Sequence, residues 1–380
     1  LKKEKKMRKT RLMFLVVSIL TIASMLLSAC TTEVIKTVEV ETVKTVEVEK
    51  EVVKTVEVEK VVEVTPVPPP TEAPEPTPVP VQLGTVDNPL ILALAPSANT
   101  QELVAGGEAI AAKLKELTGY EFKVTVPTNY AALVEAMGSG NAHVGFLPTV
   151  PYIVAYYKGY ATIGLITLRN GADHYAFEVI ANQALVDKGV FTVYYDAVAG
   201  ANTADAATAL AQLNGKKPCF ADPLSSSGYL VPSGYFKSNG IKTLAGAWVQ
   251  GHPSIVKSIY LSPGNNPTNV GEICDFGTVY VDARTSVTTD FPDVNDKVAV
   301  LWVSDPVIPN DTISLIAGLD PTIREAVVTA FETIASTEDG LALLKNGGYS
   351  IGGLKIVDDS FFDDYRVYLE SINFDINSYK

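Results

Sequence analysis

From Val86 to the C-terminus, short apolar runs alternate with amphipathic ones, and the alternation restarts once. The first round predicts strands over Pro89–Leu94, Phe122–Val126 and Ala142–Leu147, with helices over Thr100–Leu117 and Tyr130–Met137 between them. The longer helix gathers Leu103, Val104, Ile110, Leu114 and Leu117 on one face and meets Gly119 as its stop. After Phe177 the rhythm resumes: strand Phe177–Asn182, helix Ala204–Leu213, strand Pro218–Ala221, helix Ser254–Leu261 and strand Gly277–Val281. The last eighty residues are richer in helix, at Pro321–Ile334, Thr337–Lys345 and Phe361–Ile372. Such an order calls for an α/β protein whose parallel or mixed sheets are covered by helices. The 295 residues from Val86 exceed what one core usually serves. Two lobes are therefore expected: the first from 85–176 and 300–380, the second from 177–299 inserted into it.

What precedes this region is of another kind. Residues 1–12 hold seven Lys/Arg and one Glu, and residues 13–29 carry no charge. A basic start, an apolar run and small residues before a cut describe a secretory signal. Leu27-Ser28-Ala29-Cys30 resembles the lipobox of bacterial lipoproteins. That resemblance implies a signal peptide over 1–29, lipidation of Cys30 and an extracytoplasmic, membrane-anchored protein; an uncut membrane anchor is the alternative. Lys-Thr-Val-Glu-Val-Glu then recurs at Lys36, Lys44 and Lys54, and eight prolines fall between Pro66 and Pro80. The proline segment favours extended polyproline II at ~3.1 Å per residue, roughly 50 Å in all. Residues 30–84 read as a stalk, or equally as a spacer without mechanical role.

The whole chain carries −13 and its first 29 residues +6, so the remainder carries −19. Nucleic acid and anionic membrane surfaces are poor partners for such a body. The two cysteines beyond Cys30, Cys219 and Cys274, suggest one disulfide in an oxidising compartment; two buried thiols are the alternative. With three scattered histidines, His143, His174 and His252, they offer no metal-ligand spacing, and no cofactor is called for.

In Ala221–Phe236 an apolar approach runs into Ser225, Ser226 and Ser227, then Gly228, then a stretch able to turn into helix. Hydroxyls at a helix start cap its free N–H groups, and those N–H groups attract an anion. Such a turn can hold phosphate or phosphonate oxygens without any Lys or Arg. Ordinary capping without a ligand is the alternative.

Several segments in order, Thr128-Asn-Tyr-Ala131, Val144-Gly-Phe-Leu-Pro148, Asp222 to Pro232, Gly251-His252, Tyr280-Val-Asp-Ala-Arg284 and Ile308-Pro-Asn-Asp311, resemble the phosphate/phosphite/phosphonate-binding proteins of ABC importers, most closely the phosphonate branch. The resemblance covers nearly all of 86–380. It implies a two-lobed, periplasmic-binding-protein-like type II fold, each lobe a mixed sheet flanked by helices. It also implies that Ser225, Ser226 and Ser227 grip the anion, that the phenols of Tyr130 and Tyr175 face it, and that His252 bonds to it. Asp282 and Asp311 match acids that contact a ligand amine. They would equally accept a protonated ligand oxygen, and Asp282 has Arg284 nearby for a surface pair. Two segments depart from the compact pattern as insertions, 192–206 and Ser262–Glu272.

The function so implied is capture of a small phosphorus oxyanion, a phosphonate, phosphite or phosphate, and its delivery to an ABC permease. A sensor subunit presenting the ligand to a receptor fits the same residues. Against an enzyme stand the absence of a Gly-x-Ser-x-Gly elbow and of a P-loop. A stalked adhesion protein would leave the Ser, His and Asp motifs unexplained.

Overall fold

The computed structural model of this chain describes residues 82–263 and 273–379. The basic start, the Cys30 lipobox, the Val/Glu repeat and the proline segment lie outside these residues, as does most of Ser262–Glu272.

Four strands come first: Leu90–Leu94 (β1), Phe122–Thr125 (β2), Val144–Leu147 (β3) and Ala161–Leu168 (β4). Helices Thr100–Thr118 (α1), Tyr130–Gly138 (α2) and Thr149–Tyr157 (α3) separate them. The chain then crosses through His174–Tyr175 (β5) into Phe177–Asn182 (β6). A hairpin of Tyr195–Asp196 (β7) and Ala201–Asn202 (β8) occupies the segment expected to be inserted at 192–206. Pro218–Phe220 (β9), Ala247–Trp248 (β10), Phe276–Tyr280 (β11) and Val298–Val303 (β12) follow. The chain returns through Ile308–Pro309 (β13) to Thr312–Ile316 (β14), and Gly353–Lys355 (β15) is the last strand.

Two mixed sheets result. The first has the order β15-β4-β14-β3-β1-β2, the second β10-β9-β11-β6-β12. In the first, β1 runs parallel to both β2 and β3, as helical crossovers require, while β14 is antiparallel to β3 and β4. In the second, β6 is antiparallel to β11 and β12. Strand β12 carries the second sheet four residues past the boundary expected at 299, because its pairing with β6 continues through a bulge to Val303 opposite Glu178.

Local chemistry explains the helix that leads to the site. The Asn99 side chain accepts from the N–H groups of Gln101 and Glu102, and Gly119, at φ 75°, ends the helix in the left-handed region. Its buried stripe is Leu103, Gly107, Ile110, Ala111 and Leu114.

The two crossings between sheets run side by side. Residues β5 and β13 pair antiparallel, with Tyr175 opposite Ile308 and His174 opposite Pro309. Next to them the buried Asn310 amide donates to Thr167 O at 2.9 Å and Ala172 O at 2.8 Å. Asp311 O accepts from both the N–H and the hydroxyl of Thr167, each at 2.9 Å.

Cys219 on β9 and Cys274 ahead of β11 are joined as a disulfide, with Cα atoms 5.5 Å apart and 55 residues between them in sequence. The bond ties parallel neighbours of the second sheet across the segment that contains the serine turn. Changing both cysteines to Ala should cost about 2–4 kcal/mol of stability, read as a lower denaturant midpoint. An unchanged midpoint would show that the cross-link does not restrict the unfolded chain.

Candidate functional site

The polar ends of several helices meet where the two sheets face each other. After β9, Ser225 accepts the Gly228 N–H at 3.1 Å through its hydroxyl and so caps a π-turn, Ser226–Leu230. That turn runs directly into helix Val231–Ser238 (α4). The first N–H groups of such a run, at Ser226 and Ser227, have no acceptor within it. Helix His252–Tyr260 (α5) starts beside it, with Gly251 at φ 86° turning the chain into the helix. Ser225 Oγ and His252 Nε2 are 3.5 Å apart. From the first sheet come the start of α2 at Tyr130 and the start of α3 behind Pro148.

These elements enclose a small cavity, part of it open to solvent. Its lining includes Tyr130, Tyr175, Ser225, Ser226, His252 and Asp311. Six residues that the sequence marked out are thus brought together, although up to 181 positions separate them in the chain. Ser227 is buried beside Tyr175 but is not part of the lining. Asp282 is absent from it as well. It faces the neighbouring cleft, where Arg284 grips it bidentately, Nε to Oδ1 at 2.9 Å and Nη2 to Oδ2 at 2.7 Å.

Arg169 and Tyr280 were not foreseen. Arg169 follows β4, and its Nη2 donates to Asp311 Oδ2 at 3.0 Å. Its guanidinium carbon lies 5.7 Å from the ring centres of both Tyr175 and Tyr280. The site therefore does hold a formal cation, contrary to the expectation of helix ends and hydroxyls alone. Only its position at the end of an apolar strand, before Asn170-Gly171, hinted at it. The Tyr280 ring stands edge-on to the His252 imidazole, with centroids 4.7 Å apart.

Burial dominates the electrostatics. It lowers the His252 pKa to about 3, and the charge of Arg169 acts in the same direction, so the imidazole is neutral. Burial raises the Asp311 carboxyl, and Arg169 opposes the rise. The Tyr130 and Tyr175 phenols are pushed up by burial first and then by Asp311, so both remain O–H donors. Three buried polar atoms here have no partner: Ser226 Oγ, His252 Nδ1 and Arg169 Nε. Buried polar groups are nearly always satisfied, so three such atoms around one cavity are unusual.

The sequence model described as "ABC transporter, phosphonate, periplasmic substrate-binding protein" matches residues 92–362. The chain belongs to this family. A curated relative, the phosphate-import protein PhnD of Mycolicibacterium smegmatis, is 24% identical over 260 residues, spanning 66% of this chain and 73% of its own. The binding component of an ABC phosphonate transporter from Pseudomonas aeruginosa superposes with a TM-score of 0.60 at 17% identity, covering 75% of this chain and 86% of its own. PhnD1 of Prochlorococcus marinus, solved with methylphosphonate, gives 0.60 at 12%, covering 75% and 98%. The fold is that of type II periplasmic binding proteins.

Within this member of the family, Gly228 is the residue that lets the serine turn close on His252. A Cβ there would fall 2.6 Å from Ala221 Cβ, 2.7 Å from Ser225 Oγ and 3.1 Å from His252 Cε1. Gly228→Ala should therefore destabilise by about 1–3 kcal/mol through overpacking, measured by denaturant titration. A second expectation follows from the neutral imidazole. A histidine whose pKa drops on folding contributes full stability above its unfolded value of 6.5 and loses it as pH falls towards 3. Between pH 7 and pH 5 the wild type should lose about 2 kcal/mol more than His252→Gln. Equal losses in urea titrations at the two pH values would mean that the ring is not held neutral.

Proposed function

We propose that this chain is an extracytoplasmic solute-binding lipoprotein, anchored through Cys30, that captures a phosphonate-type phosphorus oxyanion between its two sheets and delivers it to an ABC importer. The observation that carries this reading is the set of buried donors without partners, Ser226 Oγ, His252 Nδ1 and Arg169 Nε, gathered in one cavity at the helix starts. A tetrahedral oxyanion supplies the missing acceptors, and helix N-termini favour its charge. Ser225 and Ser227 shape the turn, and the Tyr130 and Tyr175 phenols donate from the opposite side. Asp311 holds Arg169, while Asp282 stands at the rim. The relative named for phosphate import favours phosphate as a second ligand of the same pocket.

The domain reading fits this role. The two sheets with their helices act as jaws on the paired crossings at β5 and β13, and hinge closure around a ligand is the usual response of this architecture. Binding without turnover is the expected behaviour. A neutral histidine 3.5 Å from Ser225 resembles a nucleophile–base pair, but its other ring nitrogen, Nδ1, has no partner to orient the imidazole as a base.

Calorimetry of the stalk-free chain with methylphosphonate, phosphite and phosphate tests the proposal. At least one should bind, without release of product. Ser226→Ala should weaken that ligand by about 1.5–3 kcal/mol, tenfold to a hundredfold in Kd. No heat from any of the three, or an unaltered Kd in the variant, would overturn the assignment of this pocket.

A further inference from the structure

We propose that Arg169 is the charge partner of the ligand, that Asp311 serves to hold it, and that this pocket accepts oxyanions with neutral substituents while rejecting those that bear an ammonium group. The inference rests on the function proposed above and narrows its ligand.

An ammonium-bearing ligand needs a carboxylate whose charge is not already compensated, and Asp311, the one acid among the described residues lining this cavity, is paired with Arg169. Asp311 lines the cavity, but its Oδ2 is bound to Arg169 at 3.0 Å. Asp282 is closed by the Arg284 fork, and its Oδ1 also accepts the Arg284 N–H at 3.0 Å. Arg284 is fixed in turn, since its Nη1 donates to Val298 O at 3.0 Å. Glu178 is buried behind Asp282, and its Oε1 accepts the Ala283 N–H at 3.3 Å. Burial, reinforced by Asp282, raises its pKa well above the usual range, which favours the neutral acid. Asp222, near the start of α2, spends Oδ1 on the Leu224 N–H at 2.8 Å and Oδ2 on the Tyr130 N–H at 3.4 Å.

Arg169, by contrast, retains a donor. Its Nε is buried without a partner, and the rings of Tyr175 and Tyr280 fix the plane of the guanidinium. An ammonium drawn to Asp311 would lie against the half-buried Arg169 cation, and the two like charges would repel. A ligand oxygen placed there instead completes the bonding of Arg169 and leaves the ion pair intact.

The decisive comparison is 2-aminoethylphosphonate against propylphosphonate, which have the same number of heavy atoms and differ in charge. Isothermal titration of the wild type should show propylphosphonate binding at least tenfold more tightly. In Arg169→Met the preference should shrink or reverse, because Asp311 becomes available to the amine, while propylphosphonate weakens at least thirtyfold. Asp311→Asn should keep the preference for propylphosphonate, because the amine does not rely on this carboxylate. It serves as the second variant should Arg169→Met fail to fold. Equal or tighter binding of 2-aminoethylphosphonate by the wild type would overturn the inference and leave the phosphorus-oxyanion reading standing. So would a loss of 2-aminoethylphosphonate in Asp311→Asn tenfold greater than that of propylphosphonate. Silence of the wild type towards both of these ligands and towards phosphate, phosphite and methylphosphonate would remove both readings together.

Discussion

The pairing of the two crossings between sheets is the constraint on which the rest of this structure depends. Asn310 is fully buried and spends both amide hydrogens on Thr167 O and Ala172 O, so β4 and the return strand cannot slide past one another. Asp311 O is held from two directions by Thr167. Register matters here because a slip of one residue would turn Asp311 away from the cavity. With the register set, Arg169, Tyr175 and Asp311 occupy one rigid patch at the junction. These groups thus sit at the junction between the sheets, whereas Ser226 and His252 belong to the second sheet alone.

That division gives the electrostatics its logic. Residues 30–380 carry −19, which repels anions at long range. Attraction must be local, and burial makes local terms strong. The serine turn and the start of α5 contribute backbone dipoles without net charge, and His252 stays neutral. One guanidinium, shared with Asp311, completes the set. The pair as a whole is neutral, so it can sit in a closed cavity without the penalty of an isolated buried ion.

Much of this could be read from the chain, and the parts that could not share a cause. Short apolar runs bounded by turn residues located β1, β3 and β6 within two residues, and Gly119 marked the end of α1. The serine turn, His252, Tyr130 and Asp311 were legible because each belongs to an ordered local segment. Helix α3 was not, since Thr149–Tyr157 is apolar throughout, carries Pro151 and shows no polar face to reveal its period. Arg169 escaped for a different reason. Nothing within its own segment shows that it meets Asp311, 142 residues away, and only the antiparallel return of β14 beside β4 brings them together. Asp282 could be read in three ways from sequence. The structure gives it the Arg284 fork, which at two residues' distance closes at little entropic cost.

The C-terminal segment limits how freely the two sheets can rotate about these crossings. After β15, Asp359 accepts from the Tyr152 hydroxyl at 2.7 Å on α3, and Arg366 binds Asp359 in turn at 2.6 Å. Nine residues on, the Tyr368 hydroxyl donates to Val231 O at 3.0 Å, at the head of the helix that follows the serine turn. Gly234 on that helix is required for the contact, since a Cβ there would lie 2.5 Å from the Tyr368 hydroxyl and 2.4 Å from Ile372. Phe362, Tyr365 and Leu369 fill the apolar space between these anchors. A rotation at β5 and β13 leaves the crossings paired but must stretch this strap or peel it from one side. Its apolar contacts with α4 are the weaker link, because the Arg366–Asp359–Tyr152 network fastens the other end with charge-assisted bonds. The tail is therefore held more firmly to the first sheet than to α4.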